Sequence, residues 1–289
     1  MDSTRYEIFH EAKTHTSHDF PYNTYVCAIP LDFHYVPIHW HEEMEIIVIK
    51  KGAGIVTVNL VPYDVAAGDC VFILPGQLHS ISQKEYLIME YENILFRPAM
   101  LKAVGEDYCN NEFFHPLFSG LMDFPPLITD QVPYYTDIRN AIDTVDQLCD
   151  RRPYGYQLAI KGYWFQIFFT LFTNHPTKKY SPEQKKSLEK VKLILSYIQE
   201  NYSRQITIEE IAQVCYYSKS HFMKFFKNTM GMGFTQYLND YRLELAGQML
   251  LSTSDSILDI ASRTGFDNLS YFNRMFKRKY GVTPGNYRK

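Results

Sequence analysis

The sequence predicts an α+β protein in two parts: a β-barrel with flanking helices, then an all-α domain built from two helix-turn-helix units. Three observations point there. Between about residues 25 and 91 the chain is dense in β-branched and aromatic residues broken by turn formers. Beyond about Pro133 the apolar residues recur at helical spacing. Near the C-terminus one helical motif occurs twice. With 289 residues, 46% hydrophobic and 21% charged, the chain can bury two cores, which argues against disorder.

In the β-rich stretch, runs such as Glu45-Ile-Ile-Val-Ile49 and Gly54-Ile-Val-Thr-Val58 are bounded by Gly52, Pro62, Gly68 and Pro75-Gly76. Short strands with frequent turns imply a barrel or sandwich, here over about 20–95. Ile138, Ile142, Val145 and Leu148 are spaced by four and three, and Leu158 to Phe172 forms a longer apolar segment. Both predict helices, within about 133–173. The stretch Asn174 to Pro182 holds two prolines among polar and basic residues, as a connection does. The expected division is a first domain over 1–177, a linker over 178–187 and a second domain over 188–289.

Charge divides the chain as well. Residues 178–289 hold 18 Lys and Arg against 10 Asp and Glu, whereas 1–177 hold 11 against 22. A basic C-terminal part on an acidic N-terminal part suggests that only the former meets a polyanion. The five cysteines, Cys27, Cys70, Cys109, Cys149 and Cys215, are scattered and form no Cys-x-x-Cys pair. Neither a disulfide framework nor a zinc knuckle is suggested, and a reducing cytoplasm is expected. Met1 to Phe20 has no apolar core, and Leu158 to Phe172 is interrupted by Lys161 and Gln166, so neither a signal peptide nor a membrane span is read.

An apolar helical stripe, Leu188, Val191, Leu195, Ile198 and Tyr202, opens the second domain, and the repeat follows. Ile208-Glu-Glu-Ile-Ala212, Phe222, Phe226-Lys227 and Gly231 return as Ile257-Leu-Asp-Ile-Ala261, Phe272, Phe276-Lys277 and Gly281, offset by 49 and then by 50. Each copy opens on a capping box, Thr207-x-x-Glu210 and Ser256-x-x-Asp259, expected to satisfy the free amides of a first helical turn. Each then supplies an N-cap for a second helix, Ser218 or Asn268. The units therefore span about 207–228 and 256–278, each a helix, tight turn and helix.

With the phenylalanines facing the core, the second helix of unit one presents Lys219, Ser220, Met223, Lys224 and Lys227. That of unit two presents Leu269, Ser270, Asn273, Arg274 and Lys277. Hydroxyls, amides and cations on one helix face are what base edges and phosphates require.

Residues 186–289 resemble the DNA-binding domain of AraC/XylS-type regulators. The second copy, from Gly265-Phe-Asp-Asn-Leu-Ser-Tyr-Phe through Gly281-Val-Thr-Pro-Gly-Asn-Tyr-Arg288, carries the most specific part of that resemblance. The resemblance implies double-stranded DNA as partner, read by two recognition helices in major-groove segments roughly 34 Å apart. It also implies a long joining helix through Arg242-Leu243, Ala246 and Leu250-Leu251, a homodimer, and action on RNA polymerase; an activator is expected, with repression standing open. Tyr216 stands where the first unit of such regulators usually has glycine. A bulky residue at positive φ costs about 1 kcal/mol or more.

His39-x-His41-x-x-x-Glu45, followed by Gly52, Gly68 and Pro75-Gly-x-x-His79, resembles the two motifs of the cupin fold. Phe33 replaces the glycine that usually precedes the first motif, and the proline of the second is shifted to Pro75. Three uses of His39, His41, Glu45 and His79 stand open. They would suit a divalent metal such as Zn, Fe(II), Mn or Ni; they would hydrogen-bond an organic effector, commonly a sugar in such regulators; or they are structural. No other cofactor is expected. His10, His15, His18 and His34 lie where the resemblance implies an arm over the barrel mouth. The helices over 138–148 and 156–173, with Trp164, Phe165, Phe168, Phe169 and Phe172, are candidate dimer contacts or packing for the barrel. A metal-dependent cupin enzyme with a helical accessory domain, and an architectural DNA-binding protein, are the competing readings. The expectation is a regulator, not an enzyme.

Overall fold

The structure is a computed structural model and describes residues 20–32, 35–102, 107–175 and 182–288, with side chains from 186 onward in the last stretch. Phe33, His34 and the histidines at 10, 15 and 18 lie outside the described residues. The chain forms two compact units, the first ending at Lys186 and the second beginning at Ser187.

The first unit is a barrel of antiparallel strands: β1 (Tyr22–Ile29), β2 (Tyr35–His39), β3 (Met44–Val58), β4 (Val61–Ala66), β5 (Cys70–Ile73), β6 (His79–Gln83), β7 (Met89–Phe96) and β8 (Leu127–Ile128). The long β3 belongs to both halves. Its N-terminal part pairs with β5 and β7, and its C-terminal part with β4 and β6.

The sequence places a break at Gly52, but β3 runs through it. A bulge between Ile49 and Lys51 bends the strand, and Gly52 takes φ +74°. A Cβ there would lie 1.8 Å from the carbonyl oxygen of Ile88, so glycine permits the bend rather than ending the strand.

Side-chain alternation along β3 gives the barrel two apolar faces. Ile47, Ile49, Val56 and Val58 point inward with Val36, Ile81 and Tyr91. Met44, Ile46 and Val48 point outward, where α2 (Tyr135–Arg151) and α3 (Tyr156–Asn174) cover them with Ile138, Ile142, Val145, Ile160, Trp164 and Phe168. A short α1 (His115–Phe118), continuous with a π-helical turn over Asn110–Phe114, adds Phe114 and Leu117 to the same core.

The second unit is all helical: α4 (Pro182–Asn201), α5 (Ile208–Val214), α6 (Lys219–Met230), α7 (Phe234–Ser252), α8 (Ile257–Arg263), α9 (Leu269–Tyr280) and α10 (Pro284–Tyr287). Helix α4 begins inside the stretch read as a linker. Its Pro182 sits at the first helical position, where the missing amide costs nothing. No helix among the described residues is long and apolar enough to cross a membrane.

Candidate functional sites: a duplicated helical reader and a histidine chamber

Thr207 caps α5 through a complete capping box, its Oγ1 accepting from the Glu210 amide at 3.1 Å while Glu210 Oε2 accepts from the Thr207 amide at 3.4 Å. Hydrogen bonds from Arg204 and Tyr197 hold the Glu210 carboxyl at about 2. The second box corrects the expectation. Ser256 accepts from the Asp259 amide at 3.0 Å, but Asp259 takes the Ser256 hydroxyl proton at 2.6 Å instead of reaching the backbone. Aspartate is one methylene shorter than glutamate, which explains the difference.

The turns of the two units match in their hydrogen bonding. The Tyr216 and Tyr217 amides donate to Gln213 and Ala212 at 2.9 and 2.8 Å, and those of Gly265 and Phe266 donate to Ser262 and Ala261 at 3.0 and 2.9 Å. Tyr216 takes φ +57° and Gly265 φ +81°. What differs is the room. At Gly265 a Cβ would lie 2.4 Å from the Tyr202 carbonyl oxygen and 2.9 Å from the Arg242 guanidinium. Tyr216 is 87% exposed, and Lys190 Nζ lies 5.0 Å from its ring centroid.

Tyr216→Gly is therefore expected to keep the turn and stabilise the unit by about 0.5 kcal/mol, the relieved left-handed cost exceeding glycine's extra unfolded-chain entropy. Chemical denaturation of the full chain checks this. A loss above about 1 kcal/mol would instead give the Lys190 contact the larger share.

Ser218 and Asn268 cap the second helices, accepting from the amides of His221 at 3.3 Å and Tyr271 at 2.8 Å. Gly231 and Gly281 close them in the left-handed region. Phe222, Phe226, Phe272 and Phe276 are buried. Lys219, Ser220, Met223, Lys224 and Lys227 on α6 are exposed, as are Leu269, Ser270, Arg274 and Lys277 on α9; Asn273 is half-buried.

Sequence reasoning missed two details. Lys219 is ion-paired with Glu209 of α5, which ties the two helices of unit one together. His221, Asn228 and Arg278 share the exposed faces. Their positions within the second helices were a usable signal. Lys279, by contrast, turns inward to Glu244 at 2.6 Å.

In the barrel, His39 and His79 are cross-strand partners on β2 and β6, with ring centroids 4.0 Å apart. His41 follows β2, and its carbonyl accepts from the Gly76 amide at 2.8 Å, which ties it to the Pro75-Gly76 turn before His79. Glu45 alternates inward on β3 with Ile47 and Ile49. All four residues are buried, and one ligand atom from each lies within 4.8 Å of all the others.

Each imidazole is tethered from behind. Nδ1 of His39, His41 and His79 donates to the carbonyls of Pro37, Glu43 and Gln77 at 2.9, 3.2 and 2.9 Å. A carbonyl only accepts, so Nδ1 carries a proton in each ring; Nε2 faces the other donors, as a lone pair when the ring is neutral and as a donor to Glu45 when it is protonated. Glu45 Oε2 lies 3.0 Å from His41 Nε2 and 2.8 Å from His79 Nε2, the latter without hydrogen-bond alignment.

Burial alone would raise the Glu45 carboxyl, but His79 and His41 hold it well below its ordinary value. Burial, then His79 and His41, push His39 well down, so that ring is neutral. Lone pairs and a carboxylate facing one another need shared positive charge, from protons or a cation. This donor set, with its rear tethers, fits a divalent metal ion. Sequence reasoning missed Glu43, buried behind His41 with Arg97 Nε 3.5 Å from its carboxylate. The signal was its shared parity with His41 and Glu45.

Residues 202–289 match the family described as a helix-turn-helix domain, and residues 23–132 the one described as an AraC-like ligand binding domain. The uncharacterized HTH-type transcriptional regulator YdeC of Bacillus subtilis (strain 168) is 24% identical over 280 residues, 96% of this chain and 95% of its own. The HTH-type transcriptional activator RhaR of Yersinia pestis bv. Antiqua (strain Angola) is 26% identical over 263 residues, 87% of this chain and 84% of its own. Among solved structures, ToxT from Vibrio cholerae O395 is 15% identical with a TM-score of 0.46, covering 93% of this chain and 97% of its own.

Proposed function

We propose that this chain, which belongs to the AraC family of transcription regulators, binds specific DNA through α6 and α9 and responds to a small polar effector in its barrel. The observation that carries the reading is that one unit holds two helices with exposed polar and basic faces and the other a buried cluster of three imidazoles and a carboxylate. Effector binding need only favour one arrangement of the chain over another. A sugar or related polar metabolite suits imidazole and carboxylate groups within an apolar wall. The relatives matched over most of their length are regulators, one of them named an activator. That supports regulation over catalysis; activation through RNA polymerase by a cytoplasmic homodimer is part of the same proposal.

A second reading of the barrel is favoured by the convergence of four donors with rear-tethered imidazoles. His39, His41, Glu45 and His79 would then hold a divalent cation, whose Lewis acidity would supply an anchor for an effector's oxygen atoms.

On DNA, Arg274→Ala is expected to weaken binding to a specific site by about 1–3 kcal/mol and relax preference at one base pair, as loss of a guanine contact does. Lys277→Ala is expected to weaken all sequences alike and lower the salt slope by about one. Titration of labelled duplexes at several salt concentrations tests both. No change in either variant would take α9 out of the groove.

A further inference from the structure

Arg274 stands exposed in the second turn of α9. Its guanidinium carbon lies 5.4 Å from the ring centroid of Tyr271, three residues earlier on the same face. Long helical side chains lean toward the helix N-terminus. Arg274 therefore extends back over Tyr271 toward the first turn, the part of a recognition helix that meets base edges.

Tyr271 is itself held from three directions. Its amide donates to the Asn268 cap at 2.8 Å. Its hydroxyl accepts from Asn239 Nδ2 at 3.1 Å, and Asn239 is a buried residue of α7. Its ring lies 6.2 Å from that of the buried Phe266, tilted by 46°. A buried amide is costly unless it is hydrogen-bonded; here its donor fixes a half-buried ring beside the exposed Arg274. The joining helix thus sets the plane of that ring from inside the unit.

Unit one is built differently. At the same offset of 50, His221 and Lys224 stand where Tyr271 and Arg274 do. The His221 ring packs against Tyr217, with centroids 4.3 Å apart, and lysine has no planar fork to lay on a ring.

We propose that Tyr271, held by Asn239, is a positioning residue for sequence recognition: it presets Arg274 to read one base pair and makes unit two the stricter reader. An arginine loose in solvent must give up rotamer freedom before it can bond a guanine through two parallel donors. One already lying on a fixed ring gives up less. The exposed cation–ring contact favours the stacked conformer about two- to fivefold, and affinity falls in proportion to the competent fraction lost.

The inference rests on the reading above that α9 enters the groove. The full-length chain is titrated with a duplex that it selects from a random pool and with single-base-pair variants of that duplex. Arg274→Ala identifies the base pair concerned, as the one whose preference relaxes. Tyr271→Leu is expected to weaken the selected duplex about fivefold and to shrink the preference at that base pair by the same factor. Preferences elsewhere and the salt slope are expected to keep parental values. Tyr271→Phe keeps the ring and is expected to recover binding to within about twofold of the parent. On the Arg274→Ala background, Tyr271→Leu is expected to cost nothing further. Circular dichroism melts check folding, and Tyr271→Gln, a good helix former, repeats the test should Tyr271→Leu disturb the unit. A loss spread evenly over all base pairs, or one that persists without Arg274, would make the ring structural and overturn the proposal while leaving α9 in the groove. An Arg274→Ala variant that relaxes no preference would remove α9 from the groove, and the preset arginine with it.

Discussion

Glu45→Gln is expected to lower divalent-metal affinity more than about 100-fold, exceeding the 10–100-fold cost of disturbing groups behind a ligand. The substitution keeps side-chain shape but removes the charge that faces His41 and His79 at 3.0 and 2.8 Å. The three imidazoles stay tethered to Pro37, Glu43 and Gln77, so the chamber keeps its form and loses an anion. Elemental analysis of full-length protein, purified without chelators or affinity metals, should give about one metal per parent chain and little in the variant. Substoichiometric metal unaffected by Glu45→Gln would leave the chamber to the organic effector alone.

Gly265→Ala is expected to destabilise the C-terminal unit by about 3 kcal/mol. One part is the left-handed backbone, about 1–2 kcal/mol for a residue with a Cβ. The remainder is a steric shift of about 1–3 kcal/mol, because the added carbon meets the Tyr202 carbonyl oxygen at 2.4 Å. That carbonyl also accepts from Arg242 Nε at 2.8 Å, and Arg242 Nη2 donates to the Arg204 carbonyl at 2.6 Å. The alanine methyl thus presses on the contact that fastens α7 to the end of α4. Denaturant unfolding followed by circular dichroism measures the loss. A change below about 1 kcal/mol would mean that the turn relaxes without cost. Comparison with Tyr216 separates the two contributions, since the same φ region is occupied there in open space.

The helical half was legible because its signals are local. Caps, phenylalanines at i and i+4, and terminal glycines all act within a turn or two, and the copy 49 or 50 residues away repeats them. The failures were local too. Asp259 matches the capping pattern by type, yet its shorter arm turns to the Ser256 hydroxyl.

In the barrel the legible part was parity. His39, His41 and Glu45 alternate, and His79 follows a proline-glycine turn. What fixes their tautomers is invisible in a sequence, because the acceptors are backbone carbonyls whose direction is set by strand geometry. β8 is two residues long and gains its place only by pairing with Cys70 and Val71, more than fifty residues earlier. A bulge turned the break expected at Gly52 into a bend, and no residue pattern announces which of these a strand glycine will do.

The central claim is that this chain reads DNA sequence with two helices of one unit. Selection of full-length protein on random duplex pools across salt concentrations, followed by sequencing, tests it most directly. Enrichment of a site with two short elements about one helical turn apart, lost when Arg274 and Lys224 are replaced by alanine, is the predicted result. Weak binding of uniform salt sensitivity with no enriched motif would contradict it.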